Sequence, residues 1–266
     1  MPTRGDTSPD HVPAWPMTDY HVHTDLSDGK CSLSEVLEIE KESGIRQVVI
    51  TDHFDPGAFN HLKVAFSDYL KALDQAALRW KEDGITVCKG VEVTIDDAGL
   101  PLGESDLDEL DLVIGSVHRI DIGRNVDDWL DSEYWGEHKR LVLKGLETPR
   151  VDVIGHIEGY LSFPPEEVMP DDLLHLEAAA KVARTHFDRD FYREVAERAR
   201  RNDVGVEIHC ATRTPRLEVI RFLVDHGVKL SIGSDGHNRR EVANTGYALE
   251  VINKLNLHSD HFIASP

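Results

Sequence analysis

The chain has 266 residues, 40% of them hydrophobic and 29% charged, which suits one globular domain of the size α/β barrels commonly reach. No apolar run is long enough to cross a bilayer, which excludes a membrane-spanning protein. A formal charge of −20 argues against long nucleic acid as a partner, because that affinity comes mainly from Lys and Arg neutralising phosphates. The same acidity, with 15 histidines, suits either plain solubility or a protein that holds several divalent cations.

Residues 1–17 contain Pro9, Pro13 and Pro16 and read as an irregular arm. Their start, Met1-Pro2-Thr3-Arg4-Gly5-Asp6, lacks the apolar centre of a signal peptide, so a cytoplasmic protein is expected. Cys31, Cys88 and Cys210 are odd in number and lack CxxC spacing, which predicts free thiols. In Asp19-Tyr20-His21-Val22-His23-Thr24-Asp25-Leu26-Ser27-Asp28-Gly29, two imidazoles stand at i and i+2. On a strand ending at His23 they share a face and converge on one cation; off a strand they are two surface histidines.

Ser32 or Ser34 caps a helix carrying Val36, Leu37 and Ile39, which Gly44 stops. Gln47 to Thr51 is a β-branched strand ending in Asp52-His53. Asp68 to Asp83 forms an amphipathic helix with Leu70, Leu73, Ala77 and Trp80 on one stripe. Thr86 to Val93 is a strand with Glu92 in an otherwise apolar stretch, and a buried carboxylate needs a partner such as a metal or a basic side chain. Asp111 to His118 is a fourth strand ending in histidine.

Residues 119–150 read as a polar insertion with one helix around Glu137 to Leu146. Its Trp129, Tyr134 and Trp135 form either a lid over a site or a minor core. Val151 to His156 is strand five, Phe163-Pro164-Pro165 breaks the chain, and helices are expected at about 171–184 and 188–201. Val204 to His209 and Val228 to Ser234 are strands six and seven, the latter running into Asp235-Gly236-His237. Helices at about 215–226 and 239–254 and a polar tail, 258–266, complete the chain.

Seven apolar strands alternating with helices predict an α/β barrel over residues 18–257. Each strand carries His, Asp or Glu at or near its C-terminal end, where barrels of this kind gather their active-site residues. A set of imidazoles and carboxylates without thiolates suits Zn, Mn or Fe.

His21 to Gly29, Thr51-Asp52-His53, Gly90-Val91-Glu92, Ser116-Val117-His118, Gly155-His156 and Ser234-Asp235-Gly236-His237 together resemble the motifs of the polymerase and histidinol phosphatase (PHP) superfamily, from about residue 18 to 240. The resemblance implies a distorted (β/α)7 barrel, TIM-like, that holds two or three divalent metal ions. By that likeness His21, His23, Glu92 and Asp235 hold the first ion. Glu92 bridges to a second held by His118 and His156, and Asp28, His53 and His237 hold a third.

Two positions depart from the histidinol phosphate phosphatase branch. Glu207-Ile208-His209 stands where Glu-Ile-Asn is usual, and Ile157-Glu158 follows His156 where an Asp is more usual. They bear on the substrate rather than on the metals.

The chemistry expected of such a site is hydrolysis of a small phosphomonoester by a hydroxide bridging two metals, since each cation lowers the pKa of water and clamps phosphoryl oxygens. Arg119 and Arg213 are placed to supply guanidinium forks to the phosphate, with Arg239 and Arg240 as further candidates. Asp235 doubles as metal ligand and proton shuttle. His209 holds a ligand in place, donates a proton to the leaving group, or packs in the core; Glu207 is expected to support the site rather than to ligate. Two alternatives stand beside this reading: a nucleotide phosphodiesterase or nucleotide phosphatase of the same superfamily, and a non-catalytic metal-binding regulatory domain. Metal-dependent turnover separates enzyme from binding module.

Overall fold

The structure, a computed structural model, describes residues 17–58, 60–158, 175–264 and 266. The expected arm before Met17, the Phe163-Pro164-Pro165 break and the first four residues of the helix expected from 171 lie outside the described residues.

Seven strands form one parallel sheet in chain order: β1 (Thr18–Val22), β2 (Gln47–Ile50), β3 (Thr86–Thr94), β4 (Leu112–Ser116), β5 (Val153–Ile154), β6 (Gly205–His209) and β7 (Leu230–Gly233). The sheet nearly closes on itself just past the end of β7. There Asp235 N donates to His21 O at 2.8 Å and His23 N to Gly236 O at 3.2 Å, with Val22 and Gly236 in a parallel bridge. Parallel neighbours require crossovers, and helices supply them on the outside. They are α1 (Leu33–Glu42), α2 (Phe66–Trp80), α3 (Glu104–Leu107), α4 (Ser132–Gly145), α5 (His175–His186), α6 (Arg189–Asn202), α7 (Leu217–Asp225) and α8 (Gly246–Leu255). The result is a TIM-like α/β barrel. Among the described residues no helix is long and apolar enough to cross a membrane.

Local chemistry explains most boundaries. Ser32 caps α1 in a reciprocal box with Glu35, which fills two of the orphan donors at a helix start. Asp131 accepts from Glu133 N and Tyr134 N and so starts α4 five residues before the expected helix around Glu137. That helix is the crossover between β4 and β5. Its aromatics pack inward: Trp135 is fully buried, its Nε1–H donates to Trp129 O at 2.8 Å, and Trp129 and Tyr134 join a core with Val182, Phe187 and Phe191. Of the two sequence alternatives for these rings, the structure takes the core.

The last helix starts at Gly246, seven residues later than the expected 239. Residues 239–244 instead fold back over Gly236, where an added Cβ would lie 2.6 Å from the Val242 backbone. Ala243, at φ 61°, cannot continue a right-handed helix.

Inside the barrel, Val49, Cys88, Leu112, Ile114 and Val153 pack with Tyr20. At the N-terminal mouth the tail expected to be polar turns back: Ile263 N donates to Leu230 O at 2.9 Å, and the Ile263 side chain packs against this inner layer. All three cysteines are buried and free. Cys210 faces Ile208, Ile220 and Ala248 in the outer layer, away from the neighbouring His209 imidazole.

Candidate metal centre

The ligand residues leave the barrel at the C-terminal ends of its strands, as βα architecture dictates. β1 does not stay regular to His23; its register shifts between Asp19 and Val22 and the strand ends at Val22. The two rings converge nevertheless, with His21 Nε2 and His23 Nε2 3.1 Å apart. The turn after them is braced by Asp52, which accepts from Thr24 N at 2.8 Å, Thr24 Oγ1 at 2.7 Å and Ser27 Oγ at 2.5 Å. An added Cβ at Gly29 would lie 2.7 Å from Thr24 O, so only glycine fits this turn.

Four atoms converge first: His21 Nε2, His23 Nε2, Glu92 Oε2 and Asp235 Oδ1. His21 stands 3.4 Å from Glu92 and 3.5 Å from Asp235, and His23 stands 3.6 Å from Glu92 and 3.0 Å from Asp235. A tetrahedral ion with ligands at about 2.0–2.1 Å sets those ligands about 3.3 Å from one another. The donor atoms therefore already have the spacing a divalent cation requires, and their chemistry, nitrogen and carboxylate oxygen only, fits Zn, Mn or Fe.

Glu92 offers its other oxygen to a second group, with Oε1 3.3 Å from His118 Nε2 and 3.1 Å from His156 Nε2. A third group brings Asp28 Oδ1 to 3.3 Å from His237 Nε2 and Asp28 Oδ2 to 3.6 Å from His53 Nε2, beside His23. All nine predicted metal ligands thus meet at one mouth. Two stand in backbone conformations that side chains rarely adopt, His156 at φ 26° and Asp235 at φ 49°. Such strain persists where the surroundings over-determine a functional geometry.

Partners behind the ligands set their orientation. Glu207 accepts from His21 Nδ1 at 2.7 Å through one oxygen and from His156 N at 2.7 Å through the other. Nε2 of His21 is thereby left as the lone-pair donor. Space for Glu207 depends on Gly233, where an added Cβ would lie 2.0 Å from Glu207 Oε1. His209 is fully buried, with Nε2 2.9 Å from Asp235 Oδ2 and Nδ1 2.6 Å from Thr212 Oγ1.

Burial works against charge throughout the centre, and the outcome differs from group to group. It pulls His53 down to about 3 and also lowers His23 and His156, leaving them neutral and ready to ligate. Burial likewise opposes the Glu92 carboxylate, yet the His118, His21 and His53 rings hold it well below the usual range. His237 goes the other way: burial opposes its cation, but hydrogen bonding to Asp28 and the Asp235 charge carry it up to about 9.

A cavity of about 620 Å³ opens over the three groups, and Asp28, Glu92, His118, Arg119, Asp235 and His237 are among its lining residues. Arg119 is thus part of the cavity wall. Arg213 does not line this cavity: its guanidinium pairs with Glu250 and stacks 5.0 Å from the Tyr247 ring. It stands at a tight turn where His209 and Thr214 exchange backbone hydrogen bonds, and this turn sends its side chain toward α8.

One residue escaped the sequence reading. Asp55 lies 3.9 Å from both His53 Nδ1 and His118 Nδ1 and accepts from Thr94 N at 2.7 Å. Its position two residues after His53 was the available signal.

Residues 19–210 match the PHP domain family. A probable phosphatase of Thermoanaerobacter sp. (strain X514) is 28% identical over 255 residues, covering 91% of this chain and 87% of that protein. The DNA polymerase/3'-5' exonuclease PolX of Bacillus subtilis (strain 168) is 27% identical over 232 residues, 83% of this chain but 34% of that protein. Among solved structures, the histidinol phosphate phosphatase of Lactococcus lactis subsp. lactis Il1403, complexed with zinc, L-histidinol and phosphate, superposes with a TM-score of 0.69 at 18% identity. The match covers 94% of this chain and 99% of that one. With that family match spanning well over half of its length, and with the ordered ligand motifs gathered at one barrel mouth, the chain belongs to the PHP domain family.

Proposed function

We propose that this chain hydrolyses a small phosphomonoester, as a histidinol phosphate phosphatase-like enzyme, with two or three divalent cations held at the barrel mouth. It is a hydrolase of the phosphatase type, like the relatives it matches. The observation that carries the finer reading is Glu92, whose two oxygens face two separate groups of imidazoles at 3.1–3.6 Å. His21, His23, Glu92 and Asp235 would hold one cation; Glu92, His118 and His156 a second; Asp28, His53 and His237 a third. When bound, such ions acidify water and neutralise phosphoryl oxygens.

The chain's own groups then have distinct tasks. Arg119 lines the cavity, and its planar fork suits two oxygens of a phosphate dianion. Asp235 keeps one oxygen toward the cations while His209 holds the other at 2.9 Å, which fixes the carboxylate for proton transfer. His209 acts by positioning and does not line the cavity. A monoester offers three non-bridging oxygens to the cations and Arg119 together, whereas a diester has lost one of them with half of the charge.

The test combines elemental analysis of the purified protein with turnover of a phosphomonoester set that includes L-histidinol phosphate and nucleoside monophosphates. A monoester and a diester of one leaving group complete the set. Two or more bound cations and monoester preference are expected. Faster diester turnover would replace this reading with a phosphodiesterase, and bound metal without any turnover would replace it with a binding domain.

A further inference from the structure

On a chain of net charge −20, most Lys and Arg side chains that form ion pairs do so on the outer helices, as Arg140 and Lys144 do with Asp97. One group of cations is arranged differently. Lys30, Arg239 and Arg240 line a solvent-open groove of about 610 Å³ together with Asn238, Glu35 and Glu241. Both acids in that groove are already engaged within the chain. Glu35 Oε2 accepts from Ser32 N at 2.9 Å and Ser32 Oγ at 2.7 Å, and Glu241 Oε2 accepts from His237 N at 3.1 Å. The groove thus presents three exposed cations against two carboxylates; Arg239 feels the Glu35 charge, and the wall keeps a net positive charge.

Its position gives it meaning. Lys30 follows Asp28 by two residues and Arg239 follows His237 by two, a stretch of chain that spans at most about 7 Å. The two segments are joined by Lys30 N donating to His237 O at 2.8 Å. Asp28 and His237 are the pair at the edge of the metal centre, and both line its cavity. The groove and the cavity over the centre share no lining residue, but two chain segments run from one to the other within two residues.

We propose that Lys30, Arg239 and Arg240 form a subsite for a second anionic group, phosphate or carboxylate, on the substrate whose phosphomonoester is cleaved at the centre. This rests on the phosphomonoesterase reading and narrows it. The substrate class is a small molecule carrying two anions, one seated over the ligand cluster and the other gripped by a guanidinium or ammonium of the groove. Guanidinium forks suit phosphate and carboxylate equally. The groove is open to solvent, so its contribution depends on ionic strength.

The experiment measures kcat/KM of the metal-loaded enzyme for a three-carbon diol bisphosphate, the matching monophosphate, and the monophosphate whose free end is a carboxylate. It uses the wild type and a Lys30→Met, Arg239→Gln, Arg240→Gln triple variant. The wild type is expected to favour a doubly anionic ester over the plain monophosphate by about tenfold or more, beyond the twofold statistical factor of two equivalent phosphates. The ratio should shrink in high salt and fall to near that factor in the triple variant. Which anion gives the larger ratio identifies the second group. A wild-type ratio at the statistical factor, or a ratio that survives the triple substitution, overturns the subsite. Should no ester be turned over, the phosphatase reading fails by itself. Calorimetric binding of the bisphosphate then still reads the groove: tighter binding to wild type than to the variant supports it, and equal binding overturns it.

Discussion

The two mouths of the barrel hold cavities of nearly equal size, about 620 Å³ at the C-terminal end and about 630 Å³ at the N-terminal end, and they differ in where their charged residues sit. At the C-terminal mouth, buried carboxylates and imidazoles face one another at ligand spacing, and two of them, His156 and Asp235, have positive φ. At the N-terminal mouth, the charged residues Asp111, Asp152, Asp203 and Lys229 stay exposed on the rim, Met17, Tyr20, Phe262 and Ile263 line the space beside them, and the returning tail hydrogen-bonds to β7. The difference teaches that one end of the fold spends stability on chemistry while the other end and the core supply it. Substitutions at the two ends should therefore separate activity from stability.

The largest effect is expected at Glu92. Glu92→Gln keeps the volume and removes the charge that both ligand groups share, so turnover should fall about 10³-fold or more. Metal content should fall with it, and circular dichroism should show the fold retained. Unchanged turnover would mean that the centre of the site has been misplaced.

Next comes Arg119. Arg119→Ala should lower kcat/KM for a monoester on the order of 10²–10³-fold, the usual consequence of losing one donor to a developing anion. Arg119→Lys should not restore it, because an ammonium lacks the planar fork. Arg213→Ala, by contrast, should change kcat/KM less than about twofold, its guanidinium being occupied by Glu250 and Tyr247. Equal losses at both positions would put Arg213 back in the site.

A smaller effect concerns protons. With its folded value raised to about 9, His237 binds a proton at neutral pH in the metal-free protein. The stabilisation from its pairing with Asp28 is fully present below the ordinary imidazole value and fades as pH rises through about 9. A cation at Asp28, His53 and His237 must displace that proton, so affinity there should climb about tenfold per pH unit up to about 9. Calorimetric titration of metal-free protein with zinc in two buffers of different ionisation enthalpy reads the released protons, and comparison with His237→Asn isolates the one from His237, since His21 and His118 are also raised. A buffer dependence unchanged in His237→Asn would remove His237 from the ligand set.

The smallest effect belongs to the other mouth. Ile263→Ala should cost about 1–2 kcal/mol of stability, since the side chain is half-buried, and leave metal content and kcat as they were. Lost activity at unchanged melting temperature would contradict the division between the mouths.

Much of this was legible along the chain because the information is local. A strand buried on both faces must be apolar, so a histidine or carboxylate at its end stands out, and seven such ends in order name the barrel and point to its C-terminal mouth as the site. The serine cap of α1, Ser32 or Ser34, and its stop near Gly44 were legible for the same reason. Asp55 was less so, because its place depends on how the chain turns after His53 and on Thr94 from the next strand. The aromatics of α4 read equally as lid or core until α5 and α6 were placed beside them.

The sequence by itself determined the alternation of strands and helices and the motifs that place the chain in its family, since each depends on residue type and near neighbours. Tertiary structure alone decided which arginine meets the site. Arg119 and Arg213 each follow a strand-end histidine, but a turn closed by backbone bonds between His209 and Thr214 directs Arg213 to Glu250. It also decided the service of Glu207, which orients His21 and His156 from positions 186 and 51 residues away. The physical reason is that a side chain's direction and partners are set by elements distant in sequence, and only the closed barrel brings those elements within hydrogen-bond reach.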